Sequence, residues 1–68
     1  MQDAKKRIGS RIKMYRELAG WTQEELAKMT GYAQQSIAAW ENGFRTTSSE
    51  QLIHMAEIFG CTLDELCK

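Results

Sequence analysis

Sixty-eight residues with nine bases and nine acids leave room for one domain around one small core, since a chain of this size buries only about 60% of its unfolded surface. The apolar content of 43% is enough for a globular domain. No apolar run reaches membrane-span length and no charged-apolar-small leader begins the chain, so a soluble cytoplasmic protein, a single domain over residues 1–68, is the expectation.

The chain contains no proline, and its punctuation is that of helices. The first helix is predicted over about Ala4 to Ala19, with Asp3 as N-cap and Gly20 as the stop. Ile8, Ile12, Tyr15 and Ala19 form one apolar stripe, and Leu18 is expected to widen it. Thr22-x-x-Glu25 is a capping box: the threonine oxygen accepts from the backbone amide of residue 25, and the glutamate reaches back to that of residue 22. Trp21 and Leu26 occupy the hydrophobic-staple positions around it. A second helix follows over about Gln23 to Met29, burying Leu26, Ala27 and Met29, and Gly31 permits a tight turn. The third helix is predicted over Gln34 to Glu41, with Ile37 and Trp40 on its inner face and Asn42-Gly43 ending it.

Ser48-x-x-Gln51 opens the fourth helix, about Ser49 to Phe59, which packs Leu52, Ala56, Phe59 and either Met55 or Ile53 before Gly60 ends it. Thr62-x-x-Glu65 opens a last short helix from Leu63 to Cys67, with Cys61 and Leu66 as its staple. The predicted fold is all-α, with five helices and short connections. Trp21, Trp40 and Phe59 are core candidates, Tyr15 and Tyr32 pack in part, and Phe44 is expected to be wet.

Cys61 and Cys67 are read as free thiols, because a reducing cytosol disfavours a structural disulfide. With His54 they show no C-x-x-C or H-x-x-x-H spacing, so neither a metal centre nor a cofactor is expected. There is no glycine-rich phosphate loop, no nucleophile–base pair and little room for a small-molecule pocket, so the chain does not read as an enzyme. Zero net charge argues against a nucleic-acid partner, but the charge is segregated. Residues 1–20 carry six Lys/Arg against two acids, residues 21–43 one against three, and residues 44–68 two against four. A neutral domain can still present one positive face.

The span from Thr22 to Gly43 therefore reads as a helix, a glycine turn and a second helix with two adjacent glutamines at its start. That is a helix-turn-helix, which presents a helix N-terminus to the DNA major groove. The chain resembles the Cro/C1-type, lambdoid phage repressor-like (XRE) helix-turn-helix family. The resemblance is carried by Arg16, Gly20-Trp21-Thr22-Gln23, Leu26-Ala27, Gly31, Ile37 and Glu41-Asn42-Gly43. Leu52, Ala56, Phe59-Gly60 and Leu63-Asp64-Glu65-Leu66 extend it, so that it covers about Ile8 to Leu66.

The resemblance implies a lambda repressor-like fold and a sequence-specific transcriptional regulator of double-stranded DNA, a repressor or controller. Gln34, Gln35, Ala38 and Ala39 would face the bases. Glutamine can pair with adenine and meet guanine, whereas alanine offers only a methyl to thymine, so few base pairs would be read per half-site. Gln23, Ser36, Asn42, Gly43, Phe44 and Arg45 would meet phosphates, Gln23 with the help of its helix N-terminus. Arg16 and Glu41 match a buried ion pair that orients the helices. A homodimer on a two-fold-symmetric operator is implied, with Phe44–Thr46, Leu63 and Cys67 as interface candidates.

The sequence departs from the family pattern at three positions. Ala33 stands where the third helix usually has a Ser or Thr cap, Thr47 replaces a frequent proline, and Ser49 replaces a frequent apolar residue. With the neutral charge and the two alanines, Ala33 keeps a second reading open: a protein-interaction module that retains the fold without strong DNA binding.

Overall fold

The computed structural model describes residues 4–67, so Asp3, the expected first N-cap, lies outside the described residues. Its elements are α1 (Ala4–Leu18), α2 (Gln23–Thr30), α3 (Gln34–Glu41), α4 (Ser49–Phe59) and α5 (Leu63–Cys67), with no strand among the described residues. The architecture is the all-α, five-helix one predicted, with α2 and α3 as the helix-turn-helix.

The capping boxes set the boundaries. The Thr22 hydroxyl accepts from the Glu25 amide at 3.1 Å while the Thr22 amide donates to Glu25 Oε1 at 2.8 Å. Ser48 with Gln51, and Thr62 with Glu65, repeat the reciprocal bonds at 3.2 and 3.0 Å and at 3.0 and 2.9 Å. Each box satisfies two amides that a helix start otherwise leaves open. At the other end of α2, Gly31 adopts φ +80° and donates its amide to the Ala27 carbonyl. A side chain there would pay for the left-handed conformation, so this glycine sets the turn between α2 and α3.

The core contains Ile12, Leu26, Ile37, Trp40, Leu52, Met55, Ala56 and Leu66, drawn from all five helices. Ile8, Tyr15, Trp21, Tyr32 and Phe59 are half-buried against it. Phe59 stacks on Tyr15 and Trp21 with ring centroids 5.8 and 6.1 Å apart, and Tyr32 meets Trp40 edge to face at 5.4 Å. His54 is structural here: Nε2 donates to the Thr30 carbonyl at 3.2 Å and the ring stands edge-on to Tyr32, fastening α4 to the end of α2.

Three apolar expectations are corrected and one open choice is resolved. Leu18 is 76% exposed and widens no stripe, and Ala19 is exposed just beyond the helix. The buried face of α1 extends the other way, to Gly9 and Arg16, because α3 packs there. Met29 is exposed near the end of α2. Between the alternatives in α4, Met55 is buried and Ile53 exposed. Phe44 is 78% exposed, the wet loop aromatic expected.

Candidate nucleic-acid interface

The third helix is anchored on one side and bare on the other. Ile37, Trp40 and Glu41 are buried, while Gln34 and Gln35 are exposed at its N-terminal end and Ser36, Ala38 and Ala39 are half-buried. At 100° per residue, the buried set clusters on one face and positions 35, 38 and 39 point away from it. Two amide side chains thus stand at the free end of a helix whose other face is locked into the core.

The lock is partly ionic. Arg16 Nε donates to Glu41 Oε2 at 2.7 Å and Arg16 Nη2 to Glu41 Oε1 at 3.1 Å, so the guanidinium holds the carboxylate with two bonds. Arg16 Nη1 donates to the Trp21 carbonyl at 2.7 Å, tying in the segment that leads to α2. The hydrogen bond to Glu41 outweighs burial and raises the Arg16 pKa above its ordinary value, with further help from the charges of Glu41 and Glu17. Fork-to-carboxylate geometry makes this a strong and directional contact.

Gln23 joins the same group. Its Nε2 donates to Glu41 Oε1 at 3.1 Å, so the first residue of α2 is bonded to the last residue of α3. The family resemblance implies a phosphate contact for Gln23. The structure shows the amide nitrogen already oriented by Glu41, a bond that no local spacing signalled because the two residues are 18 positions apart.

The segment after α3 wraps back on it. Asn42 donates its amide to the Ala38 carbonyl at 3.0 Å, and the Phe44 and Arg45 amides reach the Ala39 carbonyl at 2.8 and 3.4 Å. Gly43 differs from expectation. Its amide, expected to face a phosphate, donates to the Trp40 carbonyl at 3.1 Å, and the residue is buried. At φ +76°, a Cβ on Gly43 would come 2.6 Å from Lys6 Cγ and 3.2 Å from Lys6 Cα, so the chain turns tightly against α1. Arg45 is exposed, with Nη1 donating to Ser36 Oγ at 3.3 Å.

Sequence reasoning missed Gly9. A Cβ there would overlap the Trp40 carbonyl oxygen and lie 3.0 Å from that of Glu41, so the end of α3 rests directly on the backbone of α1. A glycine in mid-helix was itself the available signal, since it costs about 1 kcal/mol relative to alanine unless packing needs it. The start of α3 also lacks a side-chain cap: Ala33 is extended at φ −70°, ψ 142° and its side chain offers no oxygen to the first turn.

A helix-turn-helix with exposed polar residues at the start of its second helix defines a class of DNA-binding domain. The helix-turn-helix family pattern matches residues 12–66. A competence pilus inhibition repressor of Acinetobacter baylyi is 30% identical over 59 residues, which are 87% of this chain and 54% of the repressor. A helix-turn-helix-type transcriptional regulator of Methanocaldococcus jannaschii is 35% identical over 57 residues, 84% of this chain and 86% of that protein. Among solved structures, the clp gene regulator ClgR of Corynebacterium glutamicum shares the fold with a TM-score of 0.91 at 21% identity, over 97% of this chain and 85% of that one. The chain belongs to the Cro/C1-type helix-turn-helix family of transcriptional regulators. It spans about half the length of the Acinetobacter repressor. No helix among the described residues is long and apolar enough to cross a membrane.

Proposed function

We propose that this chain is a sequence-specific regulator of transcription that sets α3 in the major groove of double-stranded DNA. The observation that carries the reading is the contrast along α3. Ile37, Trp40 and Glu41 are fixed in the interior while Gln34 and Gln35 project from the helix start. A reading helix needs this combination, because base-edge hydrogen bonds tolerate little error in position. Gln23, which Glu41 orients, flanks the helix together with Ser36, Asn42 and Phe44, and these are the candidates for the sugar-phosphate backbone.

The protein acts in the cytoplasm as a homodimer without enzymatic activity. Two half-sites compensate for a helix in which Ala38 and Ala39 add no hydrogen bond, and paired helices about 34–36 Å apart would meet successive turns of duplex. Leu63 is exposed and Cys67 half-buried, so α5 remains a candidate contact along with the exposed Phe44. Replacing Gln34 or Gln35 by alanine should cost about 1–3 kcal/mol in operator binding and relax one base position.

A protein-interaction module on the same fold is the second reading. Zero net charge and the uncapped start of α3 favour it. No effect on duplex binding from replacing Gln34 or Gln35, nor from replacing Arg45, would support it.

A further inference from the structure

Arg45 lies four residues beyond α3, yet its guanidinium is drawn back onto the third residue of that helix. Nη1 meets Ser36 Oγ at 3.3 Å, while the Arg45 backbone amide points at the Ala39 carbonyl. Ala39 and Ser36 are three residues apart, about 4.5 Å along the axis. The Arg45 stem therefore runs back along α3 toward its N-terminal half, across the flank where Ala39 provides only a methyl group. An arginine serving a phosphate beside the groove would extend away from the helix, into the strand it neutralises. This one lies along the helix, with its guanidinium on Ser36.

Resting on the DNA-reading function proposed above, we infer that Arg45 reads a base, supplying from the loop the long polar side chain that α3 lacks at positions 38 and 39. The chemistry selects the base. Arginine presents a planar fork of donors and no acceptor, so its partner must offer two adjacent acceptors. In the major groove that is the O6 and N7 edge of guanine. Gln34 and Gln35, carrying both donors and acceptors, can address adenine, so each half-site would combine glutamine-read positions with one guanine set by Arg45. Ser36 holds the guanidinium over the flank of α3 before DNA arrives, reducing the side-chain freedom lost on binding.

The test is binding selection from a random duplex library with the full chain, run in parallel for the wild type, Arg45→Ala and Arg45→Lys. Wild-type chain should enrich a motif with an invariant guanine in each half-site. Arg45→Ala should lose preference at that position alone, by about 10- to 100-fold, while the rest of the motif survives. Arg45→Lys keeps the charge without the fork and should lose most of the same preference while retaining salt-dependent affinity. An unchanged motif with all sequences weakened alike in Arg45→Ala would overturn the inference and make Arg45 a phosphate contact. An unchanged motif at full affinity in Arg45→Lys would overturn it too. Failure of the wild type to enrich any motif would instead remove the DNA-reading function itself, and the inference with it.

Discussion

Gly9 and Trp40 meet backbone to backbone: the α-carbon of one lies against the carbonyl oxygen of the other, with no space for a methyl group between them. This contact fixes the height of α3 above α1, and therefore how far Gln34 and Gln35 project. Gly9→Ala should improve local helix propensity yet destabilise the fold, because overpacking costs about 1–3 kcal/mol. A lower urea midpoint with an unchanged slope would show it. Operator affinity should fall as well, since α3 must move to admit the methyl.

The Arg16–Glu41 pair predicts a second asymmetry. Its side chains are 11% and 2% exposed, so Glu41→Gln leaves a nearly buried guanidinium without its counter-charge, at a cost of about 3–5 kcal/mol. Replacing both partners, as Arg16→Met with Glu41→Leu, should cost less than the single change, because no charge is then stranded. Denaturant unfolding of these two variants beside the wild type measures the difference. Glu41→Leu in the double variant should also weaken DNA binding, because it leaves no oxygen to accept the Gln23 amide that Glu41 now orients at 3.1 Å.

Local chemistry made most of this fold legible. Three capping boxes and the glycine stops located helix boundaries because they are short-range hydrogen-bonding devices written into neighbouring residues. Burial across α1 was less legible. Hydrophobicity pointed toward Leu18, but the helix buries Gly9 and Arg16 instead, one without a side chain and the other charged. Their burial follows from where α3 lies and from the carboxylate of Glu41, neither of which is encoded within α1; for Arg16 the family resemblance supplied what the helix pattern did not. The exposure of Gln34 and Gln35 followed from their place at the start of α3. The return of Arg45 to Ser36 and the bond from Gln23 to Glu41 are tertiary facts without a local pattern.

Ala33 offers a gain. Its backbone already has the extended conformation of an N-cap, but its side chain accepts nothing. Ala33→Ser should stabilise the chain by about 1 kcal/mol, raising Tm by roughly 4–8 °C for a domain of this size. A calorimetric scan tests this directly. An unchanged Tm would mean that the serine oxygen does not reach the amides of the first turn.

Cys61 should titrate late. Burial, followed by the charge of Glu65, raises its thiol pKa, against smaller lowering contributions from Arg11 and the backbone. A folded pKa above the unfolded one gives stability that is fully present below the unfolded value and lost as pH rises through the folded value. Unfolding free energy should therefore begin to fall above about pH 8.5, the ordinary thiol range, and Cys61→Ser should flatten that decline. In a Cys67→Ser background, the alkylation rate of Cys61 should rise with a midpoint above that of a free cysteine.

The central claim is that α3 reads DNA, and the most direct test is selection of wild-type chain against random duplexes at two salt concentrations. The account predicts a short two-fold-symmetric motif and an affinity that falls as salt rises, as phosphate neutralisation requires. Enrichment of nothing above background at the lower salt would contradict it.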